Sequence, residues 1–364
     1  MSSKALLQRF AGWRSTQQTL ALATVIETAG STYSKAGHRI LICESGDYQG
    51  LVSGGCLEGD LAEHARRVMT TGIATSITYD LRDEADELFG LGVGCNGLLR
   101  ILLQRLSPVD DYQPFTAISE VLLGTEPGVC GLLVESHTDP ALAGKSLVLT
   151  PTGMLYTGLN PALTGLLTSL YTAAQPAPVL HRFAHEAQTL QALIAPLYPL
   201  PRLLVLGAGL DAIPLVTLAD TLGWRVSLAD HRPAYLQREG FGAAEHSVCA
   251  PAAELSQRLP LETFSAVVVM SHHLATDRIY LQQLAASKIP YIGLLGPPAR
   301  RERLMQDLGA TAGTLHGRVH GPAGLDIGAS SPESIALSIL AQIQAVNAAA
   351  TQSDAQPQAR SATL

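Results

Sequence analysis

Two of the chain's five cysteines lie in glycine-rich segments, where a thiol can take part in chemistry. Cys56 ends the run Ser-Gly-Gly-Cys, in which Gly54 and Gly55 offer backbone N–H groups at the predicted start of a helix. A helix N-terminus favours negative charge, so a cysteine there has a lowered pKa and is partly thiolate at neutral pH. The segment therefore predicts an anion-binding loop beside a reactive sulfur.

Cys95 follows Gly94 within residues 89–97, where four of nine residues are glycine. That density indicates close approach of a bulky anionic ligand. Soft thiolates suit soft or sulfur-bearing metal centres, so Cys56 and Cys95 are the candidate metal ligands. The alternative is that each is a small buried hydrophobic residue. This alternative is our expectation for the three cysteines outside glycine-rich surroundings, which are Cys43, Cys130 and Cys249.

Residues 205–212, Val-Leu-Gly-Ala-Gly-Leu-Asp-Ala, follow a predicted strand and open a predicted helix. In a dinucleotide-binding loop Gly207 would permit the tight turn, Gly209 would let backbone approach a phosphate, and Ala212 would pack helix on strand. Asp230 ends the next predicted strand, where an acidic side chain would meet a ribose hydroxyl. The same glycines also serve simple strand–helix packing, so both interpretations stay open.

Two histidines, His272 and His273, follow an apolar run of strand length. They lie at the predicted carboxyl end of that strand, where the ligands of open α/β sheets collect, and His272 is a candidate binding residue. The alternative is a helix-capping loop, with Ser271 or Asp277 as the cap and one histidine exposed.

A rival function is an NAD(P)-dependent oxidoreductase, with Asp230 on the adenosine ribose and His272 or His273 as the acid–base group. The amino-terminal half offers no convincing catalytic acid or base, which argues against it. Asp211 would also repel a phosphate held by the glycine loop.

Composition and missing motifs exclude several classes. The net charge of −7 argues against non-specific binding to nucleic acid or anionic membrane. No P-loop, HExxH, GxSxG or CxxC pattern occurs, and an odd number of cysteines does not favour a disulfide framework. We find no signal peptide and no apolar run of about 18 residues. These features predict a cytoplasmic protein, and a charged fraction of only 15% indicates a homodimer.

The elements that must position these residues predict an α/β protein of two domains. Residues 1–198 form a mixed α+β domain, residues 199–346 a Rossmann-like domain with a doubly wound parallel sheet, and residues 347–364 a disordered tail. In the second domain strands alternate with helices, which is typical of a parallel sheet. The last predicted helix covers residues 331–346.

Residues 129–159 resemble residues 22–52 faintly. Both have an acidic strand end, an Ala-Gly pair, an apolar strand and a glycine turn. This pattern favours a duplicated strand–loop–hairpin unit, and chance similarity between two hairpins is the alternative.

Six segments in order, between about residues 20 and 345, resemble the XdhC/CoxI family. They are GSTYSKAGHRILI with VSGGCLEGDL, FGLGVGCNGLLRILL, GAGLDAIPLVTLADTLGWRVSLADHRP, VVVMSHHLATDRIYLQQL, YIGLLGPPARRERL and HGPAGLDIGASSPESIALSIL. Cys56 and Cys95 match the family's glycine-loop cysteines, Gly207 and Gly209 its nucleotide-type loop, and Asp230 its acidic strand end.

The resemblance implies an accessory factor for molybdenum hydroxylases of the xanthine or carbon monoxide dehydrogenase type. Such a factor binds a molybdopterin-type molybdenum cofactor, protects or sulfurates it, and inserts it into an apo-enzyme without conventional turnover. The implied partners are the apo-hydroxylase and a cysteine desulfurase, and a nucleotide is a second expected ligand.

Overall fold

The computed structural model describes residues 2–55, 57–80, 82, 97–136, 139–171, 177–186 and 188–354. It divides into two compact units, Met1–Pro199 and Leu200–Leu364. The sequence placed the boundary one residue earlier, between residues 198 and 199. Within the described residues no helix is both long and apolar enough to span a membrane.

The first unit is built from two antiparallel five-stranded sheets. The strands of its first sheet are β1 Leu20–Gly30, β2 Arg39–Cys43, β3 Tyr48–Gln49, β4 Thr75–Asp80 and β5 Gly97–Leu106. Those of its second sheet are β6 Gly128–Ser136, β7 Ser146–Thr150, β8 Gly153–Thr157, β9 Val179–His185 and β10 Gln188–Leu197. Its helices are α1 Ser3–Ser15, α2 Glu58–Thr71, α3 Phe115–Leu123 and α4 Pro161–Tyr171.

The two sheets have the same topology. The first runs in the order β3-β2-β1-β5-β4 and the second in the order β8-β7-β6-β10-β9, with α2 and α4 at the same point of the chain path. Each central strand also shifts register once, β1 between Val25 and Glu27 and β6 between Leu133 and Glu135. A shared β-bulge at a shared place supports duplication over chance.

Gly37 and Gly144, from the two Ala-Gly pairs, occupy matching positions. Both have φ of +83°, and each donates its N–H to a carbonyl of the preceding central strand. A Cβ on Gly37 would lie 3.7 Å from Ala195 of the second sheet, and one on Gly144 would lie 3.5 Å from Gln104 of the first. The two halves therefore contact each other through equivalent positions.

The first unit has four layers. α2 covers one face of the first sheet and α4 one face of the second, with leucine, valine and alanine side chains between helix and strand. The opposite faces meet across six buried side chains, which are Ile26, Leu102, Leu132, Val134, Leu193 and Ala195. The larger of these each stabilise the unit by roughly 1.5–3 kcal/mol.

Arg100 on β5 joins the two sheets electrostatically. Its Nη2 lies 2.9 Å from Oε2 of Glu135, and its Nη1 donates to Oε1 of Gln191 at 3.2 Å. Its Nη1 also lies 3.7 Å from Oε2 of Glu27. The Arg100 guanidinium group is therefore shared by Glu27 and Glu135, the carboxylates that follow the two bulges.

The second unit has the predicted Rossmann architecture. Its strands are β11 Arg202–Leu206, β12 Arg225–Asp230, β13 His246–Cys249, β14 Ala266–Val269, β15 Tyr291–Leu294 and β16 Val319–His320. Its helices are α5 Ala212–Thr221, α6 Pro233–Leu236, α7 Leu255–Arg258, α8 Leu274–Ala285, α9 Pro298–Leu308 and α10 Pro332–Asp354. The sheet is parallel in the order β13-β12-β11-β14-β15-β16. Strand order reverses between β11 and β14, which is where such sheets bind ligands.

The final helix is longer than the sequence predicted. α10 continues to Asp354, so the expected tail from residue 347 begins as helix, while residues 355–364 lie outside the described residues. The run Ala348 to Ala350 has high intrinsic helix propensity, which explains why the helix continues past residue 346.

Candidate functional site

In the first unit, the loop between β3 and α2 is held by the buried carboxylate of Glu58. This side chain, in a residue only 1% exposed, accepts hydrogen bonds from the N–H groups of Val52 and Ser53 at 2.8 and 3.0 Å. It also accepts from the Ser53 hydroxyl at 2.9 Å, and that hydroxyl accepts the Leu57 N–H at 2.8 Å. Burial raises the pKa of Glu58, but these hydrogen bonds outweigh it and lower the pKa below its ordinary value.

This clamp leaves Gly54 and Gly55 facing open space. Their φ angles are +81° and +114°, and a Cβ on Gly55 would meet nothing within 4 Å. Among the described residues neither glycine N–H has a hydrogen-bond acceptor. Both lie just before α2, so the loop offers two N–H groups at the positive end of a 14-residue helix.

The segment after β1 contacts both glycine regions that the sequence singled out. The Ser34 hydroxyl donates to the Leu51 carbonyl at 3.0 Å, and the Tyr33 ring lies 3.9 Å from the Cβ position of Gly54. A Cβ on Gly97, the first residue of β5, would lie 2.5 Å from the Ser31 carbonyl oxygen. Gly54, before the first predicted thiol loop, and Gly97, after the second, therefore both lie against residues 31–34.

Three predicted site residues of this unit, Cys56, Gly94 and Cys95, lie outside the described residues. Among the described residues no group of three or more histidine, cysteine or acidic side chains is arranged to hold a metal. Two of the other cysteines, Cys43 and Cys130, are buried as expected.

Cys249 is exposed, which corrects the expectation of a buried residue. It lies on β13, an edge strand whose side chains are mostly exposed. The apolar context around residue 249 in the sequence does not reveal that the strand pairs on one side only.

In the second unit, Gly207 allows the end of β11 to pass close to the end of β14. A Cβ there would lie 2.5 Å from the Met270 carbonyl oxygen, so the close approach of the two chain segments requires glycine. Gly209 faces Asp211, whose Oδ1 would lie 2.4 Å from an added Cβ. Gly207 therefore has a packing role whether or not a ligand is bound, whereas the atom nearest to Gly209 is the end of a side chain that can move.

Asp230 lies at the end of β12, as predicted, but its carboxylate is enclosed and the residue is only 1% exposed. It accepts from the Ala208 N–H at 2.7 Å and from the Arg232 N–H at 2.9 Å. The Arg232 Nε and Nη2 complete a bidentate pair at 2.9 and 2.8 Å. Burial raises the pKa of Asp230, and the hydrogen bonds, led by those from the Arg232 side chain, lower it below the ordinary value.

Arg232 and Arg238 enclose the ring of Tyr235. Their Cζ atoms lie 3.6 and 3.7 Å from the ring centroid, close enough that the two guanidinium groups must occupy opposite faces. Arg238 makes no ion pair with any described residue. None of these three residues was predicted as a binding residue from the sequence, although two arginines soon after the acidic strand end were a visible signal.

The two adjacent histidines have different roles. His273 caps α8, its Nδ1 accepting from the Thr276 N–H at 3.4 Å. The segment is therefore a helix-capping loop as the alternative held, but the cap is His273, and the expectation of Ser271 or Asp277 was wrong. His272 is exposed, has φ of +60°, and places its Nε2 2.8 Å from Oδ2 of Asp211. This contact gives the Asp211 carboxylate, which the sequence set against phosphate binding, a side-chain partner beside the glycine loop.

These groups surround one cavity of about 540 Å³ at the carboxyl ends of β11, β12 and β14. Its walls include Gly209, Asp211, Arg232, Arg238, His272 and Glu333. The volume falls within the roughly 300–1,000 Å³ of small-molecule sites. The second unit therefore has a formed cavity at the topological switch point of its sheet.

Comparison with known proteins agrees with this architecture. The family model described as "XdhC Rossmann domain" matches residues 203–343, and the model described as "XdhC and CoxI family" matches residues 13–80. A crystal structure described as a xanthine dehydrogenase from Bacillus halodurans superposes with a TM-score of 0.75 at 28% identity, covering 99% of this chain and 98% of that one.

Two curated relatives extend over most of the chain. A protein of Bacillus subtilis (strain 168) that is described as a probable xanthine dehydrogenase subunit is 30% identical, covering 90% of this chain and 93% of its own length. The "Molybdenum cofactor insertion chaperone PaoD" of Escherichia coli (strain K12) is 25% identical, covering 89% and 82%. The chain is therefore a member of the XdhC and CoxI family.

Proposed function

We propose that this protein is a molybdenum cofactor insertion chaperone for a molybdenum hydroxylase of the xanthine dehydrogenase type. Its family membership carries the proposal, because a relative named for that activity aligns over most of both chains. The cargo is a molybdopterin-type cofactor and the recipient is the apo-hydroxylase.

The first unit would hold the cargo at the Gly54–Gly55 loop. The Glu58 clamp fixes this loop, and its two glycine N–H groups, which have no acceptor among the described residues, suit a phosphate. Cys56 follows Gly55 directly, and Cys95 comes two residues before Gly97. Because Gly54 and Gly97 both contact residues 31–34, we infer that the two thiols face one site and contact the sulfur ligands of the metal.

Delivery of a sulfurated cofactor also needs a sulfur donor. We infer that a cysteine desulfurase supplies it, with Cys56 or Cys95 relaying the sulfur. The low charged fraction of 15% favours a homodimer, and the reduced state required of the thiols favours the cytoplasm.

The alternative NAD(P)-dependent oxidoreductase gains nothing from the Rossmann domain alone, because that fold serves many functions. Of the groups it needs, Asp230 is enclosed by Arg232 and His273 caps a helix. His272 is exposed and does not cap a helix, and its Nε2 lies 2.8 Å from Oδ2 of Asp211. Turnover of NADH or NADPH with a carbonyl substrate would favour this alternative over the chaperone.

Cofactor retention tests the proposal. The wild type and the Cys56→Ser, Cys95→Ser and double variants are purified from cells that make molybdopterin, and bound cofactor is quantified as its oxidised fluorescent pterin. We expect each single variant to retain about tenfold less cofactor, since ligand-sphere changes cost 10–100-fold in affinity. Cys249→Ser is the matched control, because that thiol is exposed on a different unit.

Two results would count against the proposal in different ways. Equal retention by wild type and the double variant removes the thiols from the mechanism. Absence of cofactor from the wild type, together with failure to activate an apo-hydroxylase supplied with cofactor, removes the chaperone function itself.

A further inference from the structure

The cavity in the second unit has a binding chemistry of its own. We propose that it binds a nucleotide whose ribose carries a phosphate monoester, as the adenosine ribose of NADP does, in preference to one with a free ribose diol. This goes beyond the proposed function, because the residues involved lie outside the thiol loops.

A free ribose diol has no acceptor at the expected place. In Rossmann folds the acidic residue that ends the second strand accepts the ribose hydroxyls. Here both oxygens of Asp230 already receive hydrogen bonds, from the Ala208 N–H and from the backbone and side chain of Arg232. The Arg232 guanidinium therefore occupies the position from which a diol would be recognised.

The arginines that exclude a diol also create a site for a phosphate. Arg232 and Arg238 both line the cavity, on opposite faces of Tyr235. Arg238 has no carboxylate partner among the described residues, so its charge is available to a ligand. Guanidinium groups bind phosphate through paired N–H donors and stack on planar rings, which suits a phosphorylated ribose next to a base.

The cavity wall also carries two carboxylates, those of Asp211 and Glu333. Asp211 is paired with His272 at 2.8 Å, beside the glycine loop. Glu333 lies in the first turn of α10 and is the other carboxylate on the wall. The negative charge of Asp230 is balanced by Arg232, which leaves Arg238 as the cation without a carboxylate partner, among the residues described, at the adenosine end.

Titration of the full-length protein with NADP⁺ and NAD⁺ tests the preference directly, by isothermal calorimetry. We expect NADP⁺ to bind at least about tenfold more tightly, the value of one hydrogen-bonded charge contact. Arg238→Gln should weaken NADP⁺ binding by about tenfold or more and leave NAD⁺ unchanged. Arg258→Gln is the matched control, an exposed arginine of the same unit that pairs with Glu254.

Arg232→Ala gives the sharper outcome. Removing the guanidinium weakens NADP⁺ binding and uncovers the Asp230 carboxylate as an acceptor for a ribose diol, so the preference should invert toward NAD⁺. If Arg232→Ala only impairs folding, the binding of both ligands falls together, and a circular dichroism spectrum identifies that case. The Arg238→Gln variant, which removes no buried partner, then tests the proposal.

Three results would overturn the proposal. One is equal affinity of the wild type for NADP⁺ and NAD⁺, and another is no measurable binding of either. The third is Arg238→Gln binding NADP⁺ as well as wild type. Adenosine 2′,5′-bisphosphate should compete with NADP⁺ while inorganic phosphate at the same concentration does not; equal competition by phosphate would contradict recognition of a nucleotide.

Discussion

The two sheets of the first unit share a scaffold and differ in their loops. Both have the same strand order, the same bulge and the same glycine after the central strand. In the first half the connection from β3 to α2 holds Gly54, Gly55 and the Glu58 clamp. In the second half the connection from β8 to α4 is only residues 158–160, and Asn160 caps the helix.

A second connection is also longer in the first half than in the second. β4 and β5 are joined by residues 81–96, which include Cys95, whereas β9 and β10 are joined by residues 186 and 187. Both halves therefore keep the same scaffold, while the candidate chemistry lies in one of them. Variants at matching positions can therefore separate the role of the scaffold from the role of the site.

The largest expected effect is at Glu58. Replacing it with alanine leaves the buried N–H groups of Val52 and Ser53 without their acceptor, so we expect the free energy of unfolding to fall by roughly 3–5 kcal/mol. Urea denaturation measures this. A fall below about 1 kcal/mol would show that water replaces the carboxylate and that the loop needs no clamp.

The second-largest effect on stability is expected at Gly37 and Gly144, and it should be equal in the two halves. Gly37→Ala and Gly144→Ala each impose a left-handed backbone on alanine and bring its Cβ within 3 Å of Pro178 and Ala74, respectively. We expect each to cost roughly 2–4 kcal/mol in unfolding free energy, measured by thermal denaturation. Unequal costs, differing by more than about 1 kcal/mol, would break the equivalence of the two halves.

A smaller effect is expected at Asn160, the second half's counterpart of the clamp. Its Oδ1 accepts the Leu163 N–H at 2.9 Å, and loss of such a cap costs about 1 kcal/mol. Asn160→Ala should reduce stability by that amount and leave cofactor retention unchanged. Reduced retention would place part of the site in the second half.

The smallest effect is the pH dependence of folding stability that Glu58 contributes in the first half. Its pKa is lower in the folded protein than in the unfolded chain, so its stabilisation is present above the ordinary carboxyl pKa and is lost as the pH falls through the folded value. Glu58→Gln should therefore lose less stability than wild type on acidification below roughly pH 4.3. Parallel stability curves for the two proteins would contradict this.

The fold was largely predictable from local patterns. Leu61, Ala65 and Val68 recur at helical spacing and are buried on one face of α2, which ends at Gly72 in the left-handed conformation. Alternation of apolar strands with helices gave the parallel sheet of the second unit. These features depend on residues that are close together in the chain, so one sequence is enough to predict them.

The site was less predictable, because the role of each polar group depends on its hydrogen-bond partners, which are set by the folded chain. The sequence correctly placed Asp230 at a strand end but gave no sign that Arg232 encloses it. It grouped His272 with His273, although one faces Asp211 and the other caps a helix. Composition and spacing identify the residue types, whereas the folded backbone decides their partners.

The placement of Arg100 has a consequence for cooperativity. Glu135 belongs to the second half, yet its cation comes from the first, and Leu132 and Val134 beside it are covered by the first sheet. An isolated second half would expose those side chains and leave that carboxylate without Arg100. We therefore expect neither half to melt before the other, and residues 1–199 to lose their structure in a single transition.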